Sequence, residues 1–397
     1  MAAKLRPDLA LVAACCRWPD DDARRQAIGE AAVQVTDWNA CVGLAAAHRV
    51  SGFVAQGLVA AGVRLPEHVG ATLAERRQAI RTAGLVQLRE TLRLSAALRD
   101  GEVEHRVLKG IPLAMLAYGT PTLKQSWDID LLVQPEQAVA AGAILRELGF
   151  RAIPPARDLD QAELTRWAVA SKDIMLQSDE GIVVELHWRL SDHPRLLKGM
   201  GTTCPGREVA LIGYRSVPTL ADADNLAYLA VHGAFHGWSR LKWLGDYAAF
   251  LQSFGPEQRK ALIASARARG PERAIDQANV LVNRFFGSSV DAQTKDIVRN
   301  LADLGEHIIT ARTPAREIEA DREAQRKIRR CQWLLIPGAQ YRALLAIGWF
   351  RGSEDRKRIP LPAGLHWLYW LLRPFTSISR LASRRLGNRE LRRNGRI

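Results

Sequence analysis

The chain has 397 residues, 47% of them hydrophobic, and its 56 lysines and arginines outnumber its 42 acidic residues, which gives a net charge of +14. Such a chain can bury two or three packed cores. Its five cysteines have no motif spacing, which favours a reducing cytoplasm over a disulfide framework. The N-terminus is not a convincing signal peptide, so we expect a cytoplasmic protein.

Hydrophobic periodicity divides the chain into four segments. Residues 1–95 have the helical spacing of apolar residues and predict an N-terminal helical domain. Residues 96–215 contain the short apolar runs of a sheet and form the predicted catalytic core, and residues 216–345 return to helix. Residues 346–397 form a basic amphipathic tail. The predicted fold class is therefore α+β, with a small mixed sheet flanked by N- and C-terminal helical domains.

The most informative stretch of the sheet segment is 127–133, where two carboxylates interrupt a strand. Side chains two residues apart on a strand share a face, so Asp128 and Asp130 project together while Ile129 and Leu131 pack into the sheet. Two like charges this close repel and are seldom buried without compensation. A divalent cation such as Mg²⁺ would compensate them, and a solvated strand end is the alternative interpretation.

A hairpin downstream supplies another carboxylate. Residues 173–177 and 181–188 predict its two arms, joined by a turn that ends in glycine. In the second arm Glu185 and His187 share one face. If this arm lies beside the acidic strand, Glu185 becomes a third carboxylate, and three suffice to hold one or two Mg²⁺ ions together with a nucleoside triphosphate. His187 either lines the site or is a structural, hydrogen-bonded histidine.

Several motifs together resemble a known family: Leu-Lys-Gly at 108–110, the acidic strand at 128–133, Glu-Leu-His-Trp at 185–188, and the runs 232–238 and 241–246. From about residue 30 to about residue 255 the chain is similar to the uncharacterised bacterial nucleotidyltransferase family of the polymerase-beta superfamily. The resemblance implies two Mg²⁺ ions, or Mn²⁺ in their place, at Asp128, Asp130 and Glu185. It also implies transfer of a nucleoside monophosphate from a triphosphate to a hydroxyl.

The turn before the acidic strand departs from the superfamily pattern of hydrophobic-Gly-Gly or Gly-Ser. Residues 106–111 predict a strand that ends in Lys109 and Gly110. Gly110 allows the close backbone approach that a triphosphate needs, and Lys109 adds a cation that could contact a phosphate. Related sequences commonly carry arginine in the following connection, where this chain has Lys124. Either lysine could equally be a solvated surface charge.

Residues 219–254 predict a helix, with Thr219 and Asp222 as its cap and with Gly233 and Gly237 bending or dividing it. Polar and aromatic side chains recur along it at three- and four-residue steps, which predicts one wall of the substrate cleft. A zinc site is disfavoured, because no glutamate adjoins the first histidine and no cysteine pair is near. Structural hydrogen bonding between domains is the other interpretation. The nucleotide-binding candidates on this segment are His232, His236, Arg240, Lys242 and Asp246.

The basic tail carries much of the net charge. Residues 351–397 contain twelve lysines and arginines against three acidic residues, a net +9, and include the apolar run 365–374. This run is too short to cross a bilayer, for which ~20 residues are needed. It fits a helix on an anionic membrane surface, or a helix packed on the protein with a solvated end. A nucleic-acid patch is disfavoured because no recognised motif accompanies the charge.

Three classes of function follow from these patterns. The first is an Mg²⁺-dependent nucleotidyltransferase acting on a hydroxyl of a small molecule, sugar or peptide, with phosphoryl transfer from the same site as a variant. The second is an inactive relative that binds a nucleotide or a partner, which the intact carboxylates argue against. The third is a helical scaffold at the inner membrane surface. The sequence identifies neither the acceptor, the base of the nucleotide nor the oligomeric state.

Overall fold

The computed structural model describes residues 5–168, 171–270, 272–312, 321–351 and 368. Five helices precede the first strand: α1 (Pro7–Cys15), α2 (Asp22–Ala32), α3 (Trp38–Ala47), α4 (Ser51–Ala60) and α5 (Glu67–Asp100). The central segment contains β1 (His105–Leu108), α6 (Gly110–Tyr118), β2 (Asp128–Val133), α7 (Ala138–Glu147), β3 (Arg151–Ala152), α8 (Gln161–Ala168), β4 (Asp173–Gln177), β5 (Val183–His187), β6 (Gly206–Ile212) and β7 (Arg215–Leu220). The following helices in the described ranges are α9 (Asp222–Phe235), α10 (Leu241–Gln252), α11 (Pro256–Arg269), α12 (Glu272–Phe286), α13 (Asp296–Thr310), α14 (Arg322–Leu334) and α15 (Ala339–Arg351).

The centre of the fold is a five-stranded mixed sheet in the order β1-β2-β5-β4-β3. Strands β2 and β5 are parallel, and the other neighbouring strands are antiparallel. The predicted hairpin is confirmed as β4 and β5, with Gly181 in the left-handed region at a φ of 81°. The α+β class, with a small mixed sheet between helical segments, is likewise confirmed.

The two faces of the central strand pair differ in the way that alternation predicts. Ile129 and Leu131 of β2 are 3% and 0% exposed and pack with Val184 and Leu186 of β5 in the core beneath the sheet. Because the register pairs Asp130 with Glu185, the acidic side chains of both strands lie together on the opposite face. The sheet therefore presents its carboxylates towards the helices that follow β7.

The helix predicted over 219–254 is two helices, and its predicted start is wrong. Thr219 belongs to β7, where its hydroxyl donates a hydrogen bond of 2.6 Å to the carbonyl of Val107, so it caps no helix. Helix α9 begins at Asp222. It ends where Gly237 and Trp238 adopt φ values of 61° and 54°, a left-handed conformation that cannot continue a helix.

The first and the later helical segments share one hydrophobic core. Leu9 of α1, Val54 of α4, Leu226 of α9 and Leu281 of α12 are buried members of it. Polar contacts also join the two segments, since the imidazole of His48 after α3 accepts a 3.2 Å hydrogen bond from the amide at the start of α10. The domain boundaries near residues 95, 215 and 345 remain predictions. Within the described ranges, no helix is long and apolar enough to span a bilayer.

Most of the predicted tail lies outside the described residues. Helix α15 covers its first part, to Arg351. The apolar run 365–374 falls outside the described ranges apart from residue 368. The predicted membrane contact of this tail therefore stays a sequence-based prediction.

Candidate active site

Three acidic side chains meet where β2 and β5 run side by side. Asp128 begins β2 and is half-buried, whereas Asp130 is 1% exposed. Glu185 faces Asp130 across the parallel strand pair. Ligand atoms of Asp130, Glu185 and His187 all lie within 4.8 Å of one another, and no other group of three metal-ligating side chains this close occurs among the described residues. The pairing of strands that the sequence left open thus brings Glu185 to Asp130, while Asp128 lies outside this group and lines the same cavity.

His187 is buried between carboxylates on both sides. Its Nε2 lies 3.0 Å from Oδ1 of Asp130 and 3.3 Å from Oε2 of Glu185, and its side chain is 0% exposed. Burial and the nearby Lys172 ammonium oppose its protonation, but the hydrogen bonds to Asp130 and Glu185 raise the pKa of His187 overall. His187 holds these two carboxylates in place from beneath and is not among the residues that line the cavity described below.

Lys109 reaches the same carboxylate from the turn between β1 and α6. Its Nζ lies 2.9 Å from Oδ1 of Asp130 and 5.8 Å from the ring centre of Tyr228. Burial would lower the pKa of Lys109, but the charge of Asp130 raises it well above the ordinary value. In the same way, burial would raise the pKa of Asp130, whereas Lys109 and His187 hold it well below its usual range. In this structure the Lys109 ammonium therefore pairs with a carboxylate instead of pointing to a free phosphate site.

Asp128, unlike Asp130, has a raised pKa. Burial raises its pKa first, and the negative charge of Asp130 raises it further. A cation beside this carboxylate would relieve both effects, and carboxylate oxygens are the donors that Mg²⁺ and Mn²⁺ prefer. The donor set of Asp128, Asp130 and Glu185 thus fits a hard divalent cation.

Two residues of this cluster escaped the sequence analysis. Lys172 lies 3.2 Å from Nδ1 of His187 and forms an ion pair with Asp173. Asp173 in turn lies 3.6 Å from the same imidazole nitrogen. The signal was available, because the register of the predicted hairpin pairs Asp173 with His187 across the two arms.

A cavity of about 550 Å³ opens above the carboxylates, between the sheet and helices α9 and α10. With the exception of His187, every predicted site residue lines it. These residues are Asp128, Asp130, Glu185, Lys109, Gly110, Lys124, His232, His236, Arg240, Lys242 and Asp246. A second cavity of similar volume, near Arg195 and Pro337, contains none of them.

The two histidines of α9 form an aromatic wall with Trp243. The His232 and His236 rings are 4.8 Å apart, and each lies about 5 Å from the Trp243 ring, at 5.1 and 5.2 Å. Removal from solvent lowers the pKa of His232 well below its ordinary value, so this ring is neutral at pH 7, whereas His236 is exposed and lines the same cavity. Neither belongs to a group of three close metal-ligating side chains within the described residues.

Lys124 and Asp246 form a buried ion pair instead of standing free in the cleft. Lys124 Nζ lies 2.7 Å from Oδ2 of Asp246, and the two side chains are 2% and 4% exposed. The Tyr118 hydroxyl donates a 3.0 Å hydrogen bond to the other oxygen of Asp246. This pair joins the connection before β2 to α10 and fixes one side of the cavity.

Lys242, which lines the cavity, loses its proton more readily than an ordinary lysine. Removal from solvent and the neighbouring Lys124 ammonium lower the pKa of Lys242 to about 7. An anion in the cavity would restore its charge, because a nearby negative group favours the protonated amine.

Carboxylates on adjacent strands of a small mixed sheet face a cavity with lysines, arginine and aromatic rings, an arrangement that suits an enzyme acting on phosphate-containing groups. The model of the uncharacterised nucleotidyltransferase family matches residues 34–287. The chain therefore belongs to this family of transferases.

Two further comparisons add little to this assignment. A search of curated protein sequences finds no match. Among solved structures, the chain is similar to the antibiotic-resistance factor ANT(2'')-Ia, studied in solution, at 18% identity over 48% of this chain and 94% of that one, with a TM-score of 0.34. No argument for function rests on a likeness this distant.

Proposed function

We propose that this protein is an Mg²⁺-dependent nucleotidyltransferase that moves a nucleoside monophosphate from a nucleoside triphosphate to a hydroxyl of a small molecule, sugar or peptide. The observation that carries the proposal is the meeting of Asp128, Asp130 and Glu185 at the wall of one cavity in a chain of this family. A volume of about 550 Å³ lies within the range of pockets that bind small molecules.

The three carboxylates would hold the divalent cation. When bound, Mg²⁺ supplies positive charge against the phosphoryl oxygens and lowers the pKa of a coordinated hydroxyl; the family resemblance implies two such ions. The burial of Asp130 and the fixed position of His187 keep the oxygens of this site in one arrangement. Preorganised charge of this kind lowers the reorganisation needed during the reaction.

In the proposed transfer one bond forms and one bond breaks, and side chains of the cavity take the proton and face the released negative charge. The acceptor oxygen forms a bond to the α-phosphorus, the bond from that phosphorus to the bridging oxygen breaks, and pyrophosphate leaves. Glu185, which lines the cavity and is less buried than Asp130, takes the proton of the acceptor hydroxyl. Lys242 and Arg240 then face the negative charge of the leaving pyrophosphate.

The aromatic wall is the best place in the cavity for the base. Trp243 packs against His232 and His236, and aromatic rings of this kind stack on any nucleobase without reading its edge. The Arg240 guanidinium lies 5.3 Å from the Trp243 ring and supports that wall by a cation–π contact. Stacking explains how a nucleotide is held, while the choice among ATP, CTP, GTP and UTP depends on contacts to the base edge.

The proposal is tested by incubating the protein with Mg²⁺, α- or γ-labelled triphosphates and an extract of metabolites and peptides. Mass spectrometry of the products should show the mass gain of a nucleoside monophosphate, together with released pyrophosphate. Gain of the γ-phosphoryl group alone would favour kinase-like transfer instead. No labelled product, combined with melting temperatures that Mg²⁺ and all four triphosphates leave unchanged, would overturn the enzymatic function.

Triphosphate binding should take up close to one proton at about pH 8, one unit above the pKa of Lys242. Lys242 is mostly neutral there in the free protein, and the bound polyanion restores its charge. Affinity should consequently weaken as the pH rises above 7. Calorimetry in buffers of different ionisation enthalpy measures the uptake, with the triphosphate selected by thermal shift. Uptake that persists in Lys242→Met would contradict the assignment to this side chain.

A further inference from the structure

The turn that carries Lys109 has a backbone conformation that suits glycine. Lys109 has a φ of 45° and a ψ of −134°, and Gly110 follows with a φ of 42°. Non-glycine residues in such sparsely populated regions cost about 1–3 kcal/mol and persist where the surroundings hold them in place. A lysine in this position is therefore strained where a glycine would be relaxed. The contacts of its side chain show what the lysine adds to the site.

The Lys109 side chain pairs with Asp130, the central carboxylate of the proposed cation site. The Lys109 ammonium lies 2.9 Å from Oδ1 of Asp130, and the His187 imidazole lies 3.0 Å from that same oxygen. The Lys109 side chain is 18% exposed and Asp130 is 1% exposed, so this is a contact within the protein and not a surface ion pair. One oxygen of Asp130, which the family resemblance assigns to a two-metal site, is thus already contacted by two donors of the chain itself.

The charges around His187 also favour a single divalent cation. The Lys109 and Lys172 ammonium groups already pair with two carboxylates of the cluster, those of Asp130 and Asp173. Among the described residues, Asp128 and Glu185 form no ion pair with a lysine, although both line the cavity. One divalent ion matches their two negative charges.

We propose that this enzyme holds one divalent cation at Asp128, Asp130 and Glu185, and that the Lys109 ammonium supplies the positive charge which a second cation supplies in two-metal sites. The inference rests on the proposed function and replaces the two metal ions that the family resemblance implies by one ion and an ammonium group. The inference places Lys109 in the transferase site itself. It also explains why the strained turn carries a lysine, because the ammonium has to lie beside Asp130.

The test counts Mn²⁺ bound to the full chain, alone and with the α,β-methylene analogues of the four triphosphates. Native mass spectrometry gives the number of ions per chain, and electron paramagnetic resonance shows whether neighbouring Mn²⁺ ions are coupled. Lys109→Gly removes the ammonium and relieves the backbone strain, which offsets part of the cost of leaving Asp130 without its cation, and bound Mn²⁺ supplies the missing positive charge. Lys260→Gln is the control, because it removes an ammonium that is exposed, pairs with Glu257 and does not line the cavity.

We expect one uncoupled Mn²⁺ per chain in the wild type and in Lys260→Gln, and two coupled ions in Lys109→Gly. Two ions in the wild type, none in the wild type, or a single ion in Lys109→Gly would each overturn the inference. Counting ions requires no turnover. A protein that binds one Mn²⁺ as described but transfers no nucleoside monophosphate would refute the proposed function and leave the metal count intact.

Discussion

Replacing Asp128 by asparagine is expected to lower nucleoside monophosphate transfer by about 10³-fold, because a divalent cation contributes several kcal/mol to such a reaction and about 1.4 kcal/mol corresponds to a factor of ten. The free energy of unfolding should be unchanged or higher. Burial and the charge of Asp130 raise the pKa of Asp128, so its charged form destabilises the folded protein. This gain is fully present at neutral pH, above the raised pKa, and disappears below the unfolded-state value of about 3.9.

Turnover with labelled triphosphate and unfolding in urea measure the two effects. Glu180→Gln offers a control, since it removes one carboxylate in the hairpin turn whose 3.5 Å ion pair with Arg89 is largely exposed. Exposed pairs contribute roughly 0–1 kcal/mol, so both properties should stay close to those of the wild type. Normal transfer by Asp128→Asn would remove this carboxylate from the site.

The same substitution at Asp130 should lower transfer by a similar factor but destabilise the fold. Asp130→Asn leaves the largely buried Lys109 ammonium without its anionic partner, and His187 also loses a charged neighbour. Loss of one partner from a buried pair costs roughly 3–5 kcal/mol. The two aspartates, two residues apart on one strand, are therefore expected to have equal effects on chemistry and opposite effects on stability.

The pH dependence of Asp130→Asn follows from the lowered pKa of the wild-type carboxyl. Its stabilising contribution is present above the unfolded-state value of about 3.9 and is lost as the pH falls towards the lower folded-state pKa. Urea unfolding at neutral and acidic pH should show the two proteins converging on acidification. Adding Lys109→Met to Asp130→Asn removes the unpaired charge and should recover part of the loss. An Asp130→Asn protein as stable as the wild type would show that the pair contributes nothing.

The sequence predicted the acidic face of the sheet because that face depends on local rules. Alternation along β2 separates Asp128 and Asp130 from Ile129 and Leu131, and a glycine turn sets the β4–β5 hairpin. The sequence alone did not establish that β2 pairs with β5, because strand order in a mixed sheet depends on contacts between distant parts of the chain. The family resemblance pointed to the outcome that the register of Asp130 with Glu185 then showed.

Contacts between distant segments were beyond sequence reasoning. Lys124 and Asp246 are 122 positions apart, and a pattern that shows each as a solvent-facing charge cannot show that burial brings them together. Lys109 was predicted near the phosphates, whereas its partner became visible only when the turn placed its ammonium beside Asp130. The division between α9 and α10 was predicted as one of two outcomes, because Gly237 marks it locally.

The core shared by the first and later helices has a consequence for synthesis on the ribosome. Helices α1 to α4 bury their apolar faces partly against α9 to α12, which emerge only after the whole sheet has been made. Domains generally fold in order of synthesis, N-terminal first. Here the order is expected to invert in part, with the sheet closing its own core first and the leading helices reaching their final packing when α12 leaves the exit tunnel. The carboxylates of the site would then be aligned on the sheet before the wall of the cavity that faces them exists.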